Sequence, residues 1–405
     1  MDTIIIGAGA AGLMAANECK RLGENILIID RNNRPGKKIA LTGKGRCNIT
    51  TFNKDLNDLV SKYQRNGKFL YGAFSEFGVE QTMKYFESLG LKLKVERGNR
   101  VFPESNKAVD VIYALQNAVI DYLLPDTSVL EFKLDENKIS SVVTYKGELQ
   151  AHRYILATGG MSYPITGSNG DGYKLAQSVG HTIVQPKPAL VPVKCKEKWV
   201  KDLAGLSLKY VNISVLQNNK KVCEKFGEAL FTHEGMSGPI IIDMSREIGD
   251  TLEKGETQLS IDFKPALDKE TLDRRIISDF DSLGNKHFRN SLNKLVPSTL
   301  IPILIELSGI DSNKKVSEVT KGERHKLLAL LKDFRLTAIS IDNWEKAIVT
   351  AGGINIKEIN PKTMQSKIVD NLYFAGEIID VHGPTGGYNL QLCWSTAITA
   401  ARSAG

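Results

Sequence analysis

The sequence predicts an α/β protein in which a discontinuous Rossmann-type domain is interrupted by an inserted β-barrel and a helical cap. Three observations predict the discontinuous domain; the strand signals between its parts predict a small barrel or sheet, and helix signals after them the cap. A buried-strand run, Asp2-Thr3-Ile4-Ile5-Ile6, leads straight into Gly7-Ala8-Gly9-Ala10-Ala11-Gly12 and then into helix formers from Leu13 to Leu22. A second apolar strand, residues 25–29, ends at Asp30, 18 residues after Gly12. A last strand, residues 371–375, stops at Gly376-Glu377 near the end of the 405-residue chain. The domain that the N-terminus opens is therefore completed only by the final strand and helix.

In the opening segment each glycine has its own task. Gly7 allows the tight turn and Gly9 lets backbone approach a pyrophosphate. Gly12 lets the helix lie close to the strand, with Ala10 and Ala11 at the helix end that faces phosphate. Asp30 stands about where a carboxylate accepts hydrogen bonds from a ribose, and Arg31 follows it. An ordinary Gly-rich turn would leave the joint placement of Gly9 and Asp30 unexplained. Next comes a basic, glycine-rich loop, Arg34-Pro35-Gly36-Lys37-Lys38 through Thr42-Gly43-Lys44-Gly45-Arg46-Cys47-Asn48. Its interleaved glycines favour close approach of Lys37, Lys38 and Arg46 to a ligand over a solvated charged face. Cys47 has no cysteine neighbour for a dithiol relay and reads as a small packed residue.

Amphipathic helices are expected near 67–90 and 105–123, with Arg100–Pro103 extended between them. Strands over 139–157 end in Ala157-Thr158-Gly159-Gly160, a second point of close backbone approach. The proline-punctuated stretch 185–192 marks an exit from the first domain. Strands are expected near 190–196, 207–217, 238–243 and 257–263. Helices follow over 270–283, 297–307 and 322–334, and strand signals return with Trp344–Val349. The expected division is 1–190 with 335–405 as the cofactor domain, 191–267 as the barrel and 268–334 as the cap.

Bulk composition fits an enzyme-sized globular protein of two or three domains. The chain has 53 Lys and Arg against 46 Asp and Glu, a net charge of +7 without long runs of one sign. Such a balance suits an anionic ligand and does not by itself argue for nucleic acid. Five cysteines, at 19, 47, 195, 223 and 393, include no CxxC pair, so neither a disulfide framework nor a metal site is expected, and a cytoplasmic location is. The N-terminus carries no secretory signature. The uncharged run 381–401 holds too much Gly, Pro, Asn, Gln and Thr for a membrane span and reads as a buried loop and helix.

Asp30 disfavours a 2′-phosphate, but NAD and FAD both present a free 2′-hydroxyl, so the opening motif does not choose between them. The late Phe374-Ala375-Gly376-Glu377-Ile378-Ile379-Asp380 segment does, because it fits a discontinuous flavoprotein plan. With it go Gly36-Lys37-Lys38, Gly45–Asn48, Arg100–Pro103, Ala157–Gly160, Thr166–Gly172, Phe231–Pro239 and Phe374–Gln391. Together these motifs resemble the BaiN/YhiN-type flavoproteins, which include an aminoacetone oxidase and proteins assigned to bile-acid reduction. The resemblance runs over essentially the whole chain. Lys44 departs from it, standing where the family usually has glycine.

The resemblance implies non-covalent FAD. It would be held by the residues already named together with Gly376, Glu377, Asp380 and the segment Gly387-Tyr388-Asn389-Leu390. The helix expected over 389–402 would aim its N-terminal N–H groups at the flavin and stabilise charge on its reduced form. His233, in the Phe-Thr-His-Glu-Gly turn, would lie near the flavin as a proton donor or acceptor, although a lone histidine is more often structural. Tyr388 is a weaker candidate, as are Tyr163 and His382. With a single GxGxxG, NAD(P)H would be a transient donor, or O₂ the oxidant. The expected function is hydride transfer between FAD and a small organic substrate, by amine oxidation or by NAD(P)H-linked C=C reduction, with neither membrane nor nucleic acid as partner. An RNA-acting flavoprotein and a flavin-holding sensor without turnover are the alternatives.

Overall fold

The structure, a computed structural model, describes residues 1–403. The chain divides into two compact units, Met1–Ala189 with Trp344 onward, and Leu190–Asn343.

The first unit is built on a five-stranded parallel sheet in the order 372–374, 153–156, 3–6, 26–29, 123–124. Ile4, Ile5 and Ile6 lie at its centre, none more than 4% exposed, as expected of a strand covered on both faces. Thr3 pairs with Ile26 on one side and Arg153 on the other. The strand Leu372–Phe374 joins beyond Arg153–Leu156, so the C-terminal segment does complete the sheet. Two long helices belong to it, Ala10–Arg21 and Tyr388–Arg402. The second of these carries buried residues almost throughout. Its C-terminal carbonyls are met by the buried Arg153, whose guanidinium donates to Ala400 O at 3.1 Å and Ala401 O at 3.0 Å, a favourable end for a cation. No helix among the described residues is long and apolar enough to cross a membrane.

The proline-punctuated stretch is itself a strand. Ile183–Ala189 pairs antiparallel with Val349–Ile354, with a register shift between Val184 and Lys187. Pro186 falls within that irregularity, and Pro188 pairs with Thr350 in a ribbon of only two strands, where each strand keeps a free edge.

The second unit holds a closed six-stranded barrel in the order 193–195, 235–237, 220–231, 207–217, 257–262, 334–341. The alternating burial of Thr257–Asp262 shows one face turned inward. Helices Lys269–Leu283, Ile301–Ser308 and Lys321–Lys332 follow, the last opened by a capping box between Thr320 and Glu323. Three expectations are corrected, the first being the strand at Trp344–Val349, since 344–346 form a turn and the strand begins only at Val349. Residues 238–243 form no strand: Pro239 starts a short helix to Asp243 after Gly238 at φ 91°, since proline suits the first helical position. The return to the first unit falls after Asn343, not at 335, because Phe334–Ile341 pairs with both Val193–Cys195 and Thr257–Asp262 and closes the barrel.

Candidate functional site

A cleft of about 1290 Å³, its open mouth included, lies at the carboxyl ends of the parallel strands, and every lining residue belongs to the first unit. The glycine turn forms its floor. Gly7 has φ 107°, and a Cβ there would come within 2.5 Å of Ala157 O. A Cβ at Gly12 would stand 1.7 Å from Gly7 O, whereas at Gly9 it would meet no protein atom within 4 Å. Gly12 thus serves packing, and Gly9 leaves its open side to the cleft. The helix Ala10–Arg21 begins at Gly9 with no side-chain cap and no acidic residue in its first turn, so its first N–H groups are available to an anion.

Asp30 lines the cleft, but its carboxylate already holds the turn together. Oδ2 accepts from Ala8 N at 2.6 Å, and Oδ1 accepts from Asn32 N at 2.7 Å and Asn32 Nδ2 at 3.0 Å. An ionised carboxylate has about four lone-pair sites, so a hydroxyl can still be accepted. Arg31 pairs with Asp171 at 2.8 Å.

Lys37 and Lys38 reach the cleft wall. Lys38 Nζ donates to Ser162 Oγ and to Glu377 Oε2, both at 2.5 Å. Glu377 Oε1 accepts from Ser162 Oγ at 2.7 Å and Thr350 N at 2.8 Å. Burial alone would raise the Glu377 pKa, but the Lys38 charge and these hydrogen bonds outweigh it and hold the carboxyl below its ordinary range. Ala157, Thr158 and Gly159 line the cleft beside Gly7. Thr158 Oγ1 is buried there without a hydrogen-bond partner, and an orphaned hydroxyl in a cleft wall calls for a ligand or water.

The C-terminal helix enters through Asn389, Leu390 and Cys393. It too starts uncapped, at Gly387 with φ 96°. Asn389 ties the preceding turn, accepting from Gly383 N at 2.8 Å and donating to Gly383 O at 2.9 Å and Pro384 O at 3.1 Å. Burial pushes the Cys393 thiol up to about 12.

Several expected residues lie outside the cleft lining. Arg46 turns to Glu96 at 2.5 Å and Asn106, and stacks 4.1 Å from the Phe102 ring centre, so its charge is spent within the protein. Gly45 closes the turn before it, Cys47 is fully buried, and Asn48 accepts from Val101 N. Lys44 adopts φ 58°, a conformation that explains a preference for glycine there. Gly160 packs on Thr350, Gly376 on Ala11 and Gly387 on the backbone of Thr50. Asp380 is buried and accepts from Asn66 Nδ2 at 3.0 Å. Tyr388 accepts from Tyr63 through its carbonyl. His233 is exposed in a turn of the second unit, closed by Thr232 N donating to Gly235 O at 2.8 Å.

The sequence reading missed Asn32, Thr127–Val129 and Ile348–Val349 in the lining, none of which carries a local signal. It also left the Thr166–Gly172 loop out of the site, although that loop lines the cleft. Its glycines at 167 and 170, at φ 100° and 86°, were the readable clue.

Fold and cleft define a Rossmann-class protein with a binding site at the carboxyl edge of a discontinuous parallel sheet. A family model described as HI0933-like protein Rossmann domain matches residues 1–403, and the chain belongs to that family. A 3-dehydro-bile acid delta(4,6)-reductase of Clostridium scindens is 33% identical over 405 residues, spanning 99% of this chain and 98% of the relative. A ribosomal RNA dihydrouridine synthase of Haemophilus influenzae is 29% identical over 412 residues, spanning 99% and 98%. Among solved structures, a 3-ketosteroid delta1-dehydrogenase from Sterolibacterium denitrificans aligns with TM-score 0.52 at 14% identity, covering 99% of this chain and 98% of that one. That last likeness is one of fold alone.

Proposed function

We propose that this oxidoreductase holds FAD non-covalently in the cleft and reduces a carbon–carbon double bond conjugated to a carbonyl group. The observation that carries the reading is the opening of two uncapped helix N-termini, Ala10–Arg21 and Tyr388–Arg402, on one cleft, with no acidic residue in either first turn. The residues fit the cofactor: Gly9 leaves room for a pyrophosphate against the first helix, and Thr158 Oγ1 has a hydrogen bond still to make. Bound FAD supplies hydride transfer at N5. The chain contributes orientation and electrostatics. Gly9, Ala10 and Ala11 bind the pyrophosphate through backbone, and Asp30 fixes the turn while keeping lone pairs for the ribose. The N–H groups of Asn389 and Leu390, which line the cleft, would offer positive potential to a reduced flavin. Lys38, neutralised by Glu377, adds no large net field to that wall.

The relatives' names favour reduction over the amine oxidation also compatible with the sequence. A 3-dehydro-bile acid delta(4,6)-reductase and a dihydrouridine synthase both saturate carbon–carbon double bonds, the uracil bond being conjugated to a ring carbonyl. With one GxGxxG in the chain, NAD(P)H would serve as a transient donor without a dinucleotide domain of its own. A second reading takes uracil in ribosomal RNA as substrate; the full-length match to the Haemophilus enzyme favours it.

The test is the visible spectrum of the purified protein during anaerobic addition of NADH or NADPH, then of a steroid dienone or of unmodified ribosomal RNA. Bleaching by the nicotinamide and recovery with either acceptor supports the reading. A colourless protein that takes up no FAD overturns it.

A further inference from the structure

We infer that Gln391 and Thr50 are positioning residues, which hold the first turn of the C-terminal helix at the cleft and so set the reduction potential of the bound flavin. The inference rests on the flavin reading of the cleft. Helix Tyr388–Arg402 divides its first turns between two sides. Asn389, Leu390 and Cys393 line the cleft, whereas Gln391, Trp394 and Ser395 stay out of its lining and are wholly buried. A helix start without a side-chain cap must be fixed by other means, and here one residue of the strand Thr50–Thr51 does so. A Cβ on Gly387 would stand 2.3 Å from the carbonyl carbon of Thr50, and Thr50 Oγ1 donates to Gln391 Oε1 at 2.5 Å. Gln391 N donates to Gly387 O at 3.0 Å. The first turn is thus closed on itself, with both its ends resting on Thr50.

The Gln391 amide has one orientation that satisfies its neighbours. Thr82 Oγ1 donates to Gly78 O at 2.9 Å and Ser395 Oγ donates to Phe77 O at 2.6 Å. Both hydroxyls can therefore only accept, and Gln391 Nε2 donates to each at 2.9 Å, which leaves Oε1 to face Thr50. Such a network, complete in a single geometry, fixes the rotation of the helix; an apolar side chain would fill the space without doing so. The ledge beneath it comes from motifs that stay out of the cleft lining. Thr50 pairs with Val101, Asn48 accepts from Val101 N at 3.1 Å, and Trp394 Nε1 donates to Ile49 O at 2.9 Å. Gly45–Asn48 and Arg100–Pro103 thereby support the helix start. If the first turn rotates or withdraws, its N–H groups leave the cleft, and the loss falls more heavily on the reduced, more negative flavin than on the oxidised one.

The experiment measures the midpoint potential of the FAD-loaded protein by dye equilibration, beside its FAD affinity and its thermal midpoint without cofactor. Thr50→Val and Gln391→Met should weaken binding of reduced relative to oxidised FAD about fivefold, a potential about 20 mV more negative for a two-electron couple. Thr50→Ser keeps the hydroxyl and should return the potential to the wild-type value. Thr50→Val replaces a hydroxyl by a methyl group of the same shape, so it carries the test alone if Gln391→Met fails to fold. Variants that melt lower and bind both forms equally less well, with the potential unmoved, make the network a purely structural one and overturn the inference while the flavin reading stands. A Thr50→Ser potential displaced as far as that of Thr50→Val overturns it too. A wild-type protein that takes up no FAD overturns the flavin reading and the inference with it.

Discussion

Lys38 and Glu377, 339 positions apart in sequence, meet at 2.5 Å in the cleft wall, with the Ser162 hydroxyl bonded to both. Three distant segments are thereby pinned to a fourth through Thr350 N. Glu377→Gln should cost roughly 2 kcal/mol at neutral pH, as expected when charge-assisted hydrogen bonds are weakened. Because the folded-state pKa of Glu377 is held below the ordinary 4.5, its stabilising contribution is complete above that value and lost as pH falls through the folded pKa. Urea unfolding from pH 7 down to pH 3 should show a shallower acid loss in the variant; equal slopes would refute the coupling.

The two glycines of the opening turn should respond oppositely to alanine. Gly12→Ala drives a methyl to 1.7 Å from Gly7 O and should prevent folding or cost several kcal/mol, since backbone cannot yield there. Gly9→Ala meets no protein atom, so its thermal midpoint without cofactor should stay near wild type while FAD affinity drops about tenfold or more. Equal affinity in Gly9→Ala would place the pyrophosphate elsewhere.

His181 should impose a pH dependence at milder acidity. Its ring is buried, with Nε2 at 2.8 Å from Ser366 Oγ, Nδ1 at 3.2 Å from Glu358, and Phe374 edge-on at 4.8 Å. Burial lowers its pKa below 6.5 despite the Glu358 charge. Here the unfolded chain binds the proton more readily, so stability is in place above pH 6.5 and declines as pH falls below it. His181→Gln should remove that decline in a pH series of thermal midpoints. A wild-type midpoint that rises on acidification would show the ring protonated in the fold.

Thiol chemistry should single out one cysteine. All five are free, and Cys223 alone is not buried. Burial pushes Cys19, Cys47, Cys195 and Cys393 to about 12, and Cys223 to about 11. The native protein should release at most one equivalent of chromophore from dithionitrobenzoate, slowly, and five after unfolding. Rapid release of two or more would contradict the burial.

What could be read in the sequence was local. Ile4–Ile6 with the glycine turn, and Asp30 closing the next strand, are patterns completed within 30 residues, and the structure bears out a parallel sheet finished by residues 372–374. Arg46 could not be read that way, because its basic, glycine-rich surroundings resemble a ligand loop while its partners Glu96 and Asn106 are 50 and 60 positions distant. The Ile240-Ile241-Ile242 run looks like a strand, yet proline at 239 and the barrel packing around it make a helical turn. Phe334–Ile341 carries a period of two, but no glycine or proline separates it from the preceding helix, so the sequence does not mark where the helix ends and the strand begins.

The contiguity of the second unit bears on the order of synthesis. Residues 190–343 leave the ribosome as one uninterrupted run with all six barrel strands included. The sheet that frames the cleft lacks its outer strand until residues 372–374 emerge, and the cleft lacks part of its wall until Cys393 does. The insert can therefore reach its final form during translation, while the unit that frames the cleft must wait, half-built, until residues 372–393 have emerged.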